Sequence, residues 1–330
     1  MSAVTHADPA RQAGSAHPLA QRRPLGDRGF QILALAAGLL VLVILVLIAV
    51  STAAQSTTWF TTAGAKGIFS VDWDPAHGRY GAMAFLYGTV ISSVIAIIIA
   101  VPISVGMALL LNEVVPARVA RPIVYVIDLL AVVPSVVWGL WGILVLAPWL
   151  QGIYTSISSG VKGIPVLDPL FGSGGANVSG ASFFTAGLIL AVMITPIITS
   201  LSREVIATVP AIDREGAYAL GATRWEMIRG AVWPHSQGGV ISAVLVGLGR
   251  AMGETIAAAL LIGSSPQVTS HLFYTGYSIP AVIANQFGES SGVFRSALIG
   301  LGLFLFVITI IVNLAARGIV ERSARRARGA

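Results

Sequence analysis

Long apolar runs alternate with short polar segments along this chain. A helix needs about 20 residues to cross the hydrocarbon core of a bilayer. Runs of roughly that length or more lie near 31–50, 84–111, 123–148, 182–201, 238–262 and 294–315. The third is the least regular, because Asp128, Pro134 and Pro148 interrupt it. Residues 51–80, 151–180 and 263–293 are loops between runs, the first two rich in Gly, Ser, Thr and Asp. The pattern predicts an all-α integral membrane protein with six transmembrane helices in a domain spanning 30–316. A polar loop at 202–236 separates the fourth and fifth helices. Residues 1–29, rich in Ala, Arg, Pro, Gly and Gln, are expected to form a disordered tail, and 317–330 a basic one.

Composition agrees with that pattern. The chain is 55% hydrophobic and 10% charged, with a mean hydropathy of +0.84, which excludes a soluble globular domain. The net charge of +6 does not indicate nucleic acid, because the charges flank apolar runs and form no stripe on a soluble face. Most basic residues fall on one side of the predicted membrane: Arg11, Arg22, Arg23 and Arg28; Arg118 and Arg121; Arg203, Arg214, Arg224 and Arg229; and Arg317 to Arg328. The other side has Lys66, Arg79 and Lys162, with Arg295 at an edge. This asymmetry predicts that both termini are cytoplasmic. Ser51-Thr52-Ala53 resembles a signal cleavage site, but the apolar run before it, about 19 residues, exceeds the usual signal length, so it is read as an anchor.

Several chemistries are excluded by what the chain lacks. It has no cysteine, hence no disulfide and no thiol chemistry. A Walker A loop needs Gly-Lys-Ser/Thr, and Lys66 and Lys162 are each followed by Gly. The stretch Gly172-Ser173-Gly174-Gly175 follows no predicted strand and reads as surface loop. There is no HExxH, no GxSxG and no His cluster. An intramembrane enzyme therefore lacks its residues.

The polar loop carries the most information. Asp213 to Arg229 reads as a helix broken at Gly221, with Asp213 capping its start and Glu215 in its first turn. Ala217, Leu220 and Trp225 form one apolar side, and Pro234 ends the segment. On physics alone it fits an amphipathic helix lying on lipid or a helix presented to a soluble partner. Glu215-Gly216-Ala217, then Gly221, then Pro234, resembles the EAA loop of ATP-binding-cassette importer permeases, with Gly216 in place of the usual Ala. Pro134-Ser135-Val136-Val137-Trp138-Gly139-Leu140-Trp141-Gly142 and Gly249-Arg250-Ala251-Met252-Gly253-Glu254-Thr255 narrow the resemblance to phosphate-specific permeases of the PstC type, over about 80–316.

The resemblance implies a type I importer fold that imports inorganic phosphate by alternating access. It implies that Glu215, Gly216, Ala217, Gly221, Ala222, Arg224 and Trp225 couple the chain to an ATPase. It also implies a second permease of the PstA type, an ATPase dimer of the PstB type that binds ATP and Mg, and an extracytoplasmic phosphate-binding protein of the PstS type. No cofactor in this chain is implied. Another oxyanion, sulfate or molybdate, would present the same membrane physics, and an ion-coupled secondary transporter would need no docking loop.

Two charges fall inside the fifth run. Arg250 lies 12 residues beyond Gly238, about 18 Å along a helix. Glu254 follows at i+4, on the same face of a continuous helix. Two readings stand: an anion pathway in which Arg250 offers its guanidinium to a phosphate oxygen, or a static ion pair that sets packing. Thr195 and Ser135 could line a polar path or bond to their own helix backbones.

Overall fold

The computed structural model of the protein describes residues 25–174 and 178–328. Of the expected disordered tail at 1–29, residues 1–24 lie outside the described residues, and residues 25–29 are instead the first turn of a helix. The chain separates into two compact units, 1–51 and 52–330. The first unit contributes the opening part of helix α1 (Leu25–Ile68), whose long aliphatic side chains are exposed all round. That is the surface expected of a helix solvated by lipid.

The second unit is built on two long apolar helices, α2 (Met83–Leu109) and α7 (Phe183–Ala207), which pack along their lengths. Its main core gathers Trp59, Phe85, Phe183, Ile189, Leu261, Ile279 and Leu298 from distant parts of the chain. Trp59 is fully buried and donates its indole N–H to the Tyr80 carbonyl at 3.0 Å. A short hairpin of two-residue strands, β1 (Trp73–Asp74) and β2 (Arg79–Tyr80), pairs Trp73 with Tyr80, and both rings pack on that core.

Among the described residues, five helices are long and apolar enough to cross a membrane: 29–64, 83–114, 135–160, 183–207 and 292–315. Two predicted runs are not single helices. The third divides at Val133-Pro134 into α3 (Ala117–Val132) and α4 (Ser135–Trp141), which continues into α5 (Ala147–Gly160). A residue before proline is driven to extended backbone, and Val133 has ψ 125. The fifth divides at Glu254 into α10 (Trp233–Gly253) and α11 (Ile256–Leu261). Short helices α6 (Asp168–Phe171), α8 (Ala211–Ala219), α9 (Arg224–Met227) and α12 (Ile279–Gln286) complete the set with α13 (Gly292–Arg328), which carries helix through 317–328.

π-helical turns interrupt the ladder at Leu110–Val114, Gly142–Leu146 and Ile228–Val232. In each, the last bond runs from the residue immediately before a proline back five residues: Val115 to Leu110, Ala147 to Gly142, Trp233 to Ile228. Pro116, Pro148 and Pro234 have no N–H to continue an α ladder. A widened turn is one way to absorb that loss. Pro234 therefore does not end the polar segment; it lies in a helical path running from Arg224 to Gly253.

The Trp-rich segment has a packing role. Gly139 and Gly142, three residues apart on α4 and its π turn, face α11. A methyl on Gly142 would lie 2.9 Å from both Leu261 methyls, and one on Gly139 would lie 3.0 Å from the Ala257 Cα. Small residues let these backbones approach closely, as at membrane helix interfaces. Gly142→Val is expected to lower thermal stability in detergent by about 1–3 kcal/mol, the range for overpacking. An unchanged melting temperature would mean that α4 and α11 can separate freely.

Candidate functional site

The polar segment between α7 and α10 is a helix-turn-helix on its own apolar base. Pro210, not Asp213, precedes the first turn of α8, without a side-chain cap; Asp213 stands within that turn. α8 ends in a Schellman turn: Gly221 N–H donates to Tyr218 O at 2.9 Å and Ala222 N–H to Ala217 O at 3.1 Å. Gly221 sits at φ +83°, a left-handed geometry that side-chain-bearing residues adopt at a cost. Thr223 then caps α9 in a reciprocal box with Glu226, whose carboxylate accepts from Thr223 N–H at 2.7 Å and from the Thr223 hydroxyl at 2.8 Å. Those bonds, the backbone one foremost, hold the Glu226 carboxyl below its usual range. The box is therefore complete at neutral pH and is lost only as pH falls through that lowered value.

The base of this unit is the cluster Ala108, Ile206, Val209, Met227, Ile228, Val232 and Val240, with Ala217 packed on it. The expected apolar side is split accordingly. Ala217 is half-buried on that base, whereas Leu220 is 91% exposed and Trp225 66% exposed. Glu215, Gly216, Gly221 and Arg224 are exposed as well, and Ala222 is half-buried. Leu220 and Trp225 thus leave two large apolar side chains uncovered around the α8–α9 turn.

Sequence reasoning missed what fastens the unit. Arg214 donates to Glu113 Oε1 at 2.9 Å, to the Val209 carbonyl at 2.8 Å and to the Ile206 carbonyl at 3.0 Å. Glu113 is only 5% exposed. Nearby, Asn112 Nδ2 donates to the Arg203 carbonyl at 2.8 Å. One guanidinium thus joins α8 to the C-terminal end of α7 and to the π turn after α2. The available signal was a lone acidic residue, Glu113, at the end of an apolar run. Arg214→Ala is expected to loosen the loop by about 1.5–3 kcal/mol, the range for charged hydrogen bonds. Trypsin should then cut faster at exposed Arg224 and Arg229. Unchanged cleavage would leave the contact without a fastening role.

The expected pathway residues are not bonded to one another. Among the described residues, no hydrogen bond or ion pair joins any two of Arg250, Glu254, Thr195 and Ser135. Arg250 is exposed in the last turn of α10, where a cation suits the helix dipole. Glu254 is beyond the helix end, at φ −69°, ψ 123°. The i, i+4 geometry expected for the pair therefore does not form, and the static ion pair goes with it. Glu254 instead accepts from Ala257 N–H at 3.4 Å, at the start of α11. Thr195 donates to the Ala191 carbonyl of its own helix at 2.7 Å and lines a largely apolar cavity. Ser135 is half-buried in the first turn of α4. Asp128 accepts from Ser200 at 3.2 Å.

The sequence profile of the family "Binding-protein-dependent transport system inner membrane component" matches residues 100–329. The chain is 41% identical to "Phosphate transport system permease protein PstC" of Mesorhizobium japonicum, over 98% of both chains. It is 42% identical to the protein of the same name from Haemophilus influenzae, over 86% of this chain and 90% of that one. Its fold is similar to a chain of a bacterial alginate ABC transporter solved with a pentasaccharide-bound periplasmic protein, with a TM-score of 0.58 and 17% identity over 92% of this chain and 98% of that one. The long apolar helices, the solvent-facing α8–α9 turn and these likenesses lead to one assignment: the chain belongs to the binding-protein-dependent transport system inner-membrane components, with the type I importer permease fold, among the phosphate transport permeases of the PstC kind.

Proposed function

We infer that this chain is the permease subunit of an ATP-driven importer that carries inorganic phosphate across the cytoplasmic membrane. The observation that carries this reading is the identity of about two residues in five to PstC permeases along nearly the whole chain. The exposed α8–α9 turn on a firmly packed base supports it, since a force-transmitting element needs a free face and a rigid root. The chain crosses the membrane several times, with both termini in the cytoplasm, the side to which most of its arginines point.

Its partners are a second permease of the PstA type, an ATPase dimer of the PstB type and an extracytoplasmic phosphate-binding protein of the PstS type. ATP and Mg are bound by the ATPase, because this sequence has no Walker A loop. Closure of the ATPase dimer moves Glu215, Gly216, Ala217, Gly221, Ala222, Arg224 and Trp225. Arg214 and the apolar base pass that motion to the ends of α2, α7 and α10. The anion crosses between the two permeases, with Arg250 as a weak contact. A tight site would hinder release.

Uptake of radiolabelled phosphate at micromolar concentration tests this reading. Deleting the chain should abolish high-affinity uptake, and restoring it should recover uptake that excess sulfate or molybdate does not compete away. Competition by either oxyanion would move the substrate assignment to it.

A further inference from the structure

A second polar site lies away from the coupling turn. A cavity of about 450 Å³ opens between the π turn after α2, the start of α3 and the end of α7. Arg121, Arg203, Asn112 and Tyr125 line it. Among the described residues neither guanidinium is paired with a carboxylate. The nearby acids are otherwise engaged: Glu113 holds Arg214, and Asp128 holds Ser200. Glu204 is exposed and does not line the cavity. The site therefore combines two uncompensated positive charges with an amide and a phenol.

The same helices form a second cavity further along their seam. It measures about 300 Å³ and is lined by Ile99, Ile103, Met107, Ile127, Leu130 and Val192 among others. Arg121 is six residues from Ile127 and Met107 is four from Leu111, spacings of about 6–9 Å along a helix. A basic chamber and an apolar cleft thus lie on the same three helices, about one headgroup-to-chain distance apart along them. A free anion has no use for the cleft, and an apolar peptide has none for the arginines.

We propose that this α2–α3–α7 seam binds one anionic phospholipid, with Arg121 and Arg203 holding the phosphodiester, Asn112 and Tyr125 donating to it, and an acyl chain lying in the cleft. Basic pockets between membrane helices on the cytoplasmic side are suited to such headgroups. The proposal rests on the membrane orientation inferred above. It does not depend on which solute is carried.

The test is native mass spectrometry of the assembled transporter, purified with its partners and exchanged into mixed phosphatidylglycerol and phosphatidylcholine. The intact complex should retain phosphatidylglycerol about thirtyfold over phosphatidylcholine, each of the two arginines contributing about fivefold. R121Q/R203Q should abolish the preference, while R121K/R203K should keep most of it and so exclude misfolding as the cause. Val192→Trp, which fills the cleft from a half-exposed position, should lower retention of the lipid. Millimolar inorganic phosphate should not displace it. Equal retention by R121Q/R203Q would overturn the proposal. Displacement by phosphate with no effect of Val192→Trp would make this a free-anion site instead, and no bound lipid in the intact complex would assign the seam to a partner subunit. Phosphate uptake is a separate readout, so failure of the transport reading and failure of the lipid site remain distinguishable.

Discussion

Replacing Gly221 by valine is expected to lower phosphate uptake about five- to thirtyfold while the chain still inserts and assembles. Gly221 holds φ +83° at the C-terminal end of α8 and donates the 2.9 Å bond that closes the turn. A side-chain-bearing residue in that region costs roughly 1–2 kcal/mol, and that energy corresponds to the stated range of turn populations. No neighbouring atom lies where a Cβ would be, so the effect is conformational and not a clash. Uptake by a deletion strain carrying the variant, with assembly checked by co-purification of the ATPase, measures it. Full uptake would mean that the turn is not the transmitting element. Loss of the ATPase from the complex would make the turn a docking determinant more than a transmitter.

Arg250→Gln is expected to reduce uptake about ten- to 100-fold with assembly intact. A charge-assisted hydrogen bond contributes about 1.5–3 kcal/mol, which sets that range. The structure sharpens the choice left open by the sequence. With Glu254 beyond the helix end and bonded to Ala257 N–H, Arg250 is exposed and, among the described residues, has no carboxylate to hold. Glu254→Gln should accordingly leave uptake within about twofold, because an amide oxygen still accepts the Ala257 N–H. Equal loss in both variants would restore a functional pair.

The apolar runs were legible because lipid imposes one rule along a whole helix, and α2 and α7 follow the predicted runs closely. The break at Glu254 was not, since Gly253-Glu254-Thr255 contains no proline and the i, i+4 charges read naturally as a helical pair. The helix leaves α geometry at Glu254 (φ −69°, ψ 123°), and α11 beyond it is seated against Gly139 and Gly142, a contact no local pattern reveals. The break at Pro134 was foreseeable as a bend, and the Gly221 break was foreseen as such. Asp213 misled because an acid before Glu215 looks like a cap, whereas Pro210 with its fixed φ starts α8 earlier. The Arg214–Glu113 contact joins residues 101 positions apart, which no local pattern reveals. Ala217, Leu220 and Trp225 read as one apolar side, but Met227 and Ile228 take the inward positions on α9 and its π turn, leaving Leu220 and Trp225 exposed.

The central claim is that ATP binding, transmitted through α8 and α9, drives phosphate through this permease. Its most direct test is radiolabelled phosphate uptake by proteoliposomes holding the assembled transporter and the binding protein, with and without ATP on the ATPase side. The account predicts accumulation only with ATP, abolished by Gly221→Val. Accumulation driven by an imposed proton or sodium gradient in the absence of ATP would contradict it.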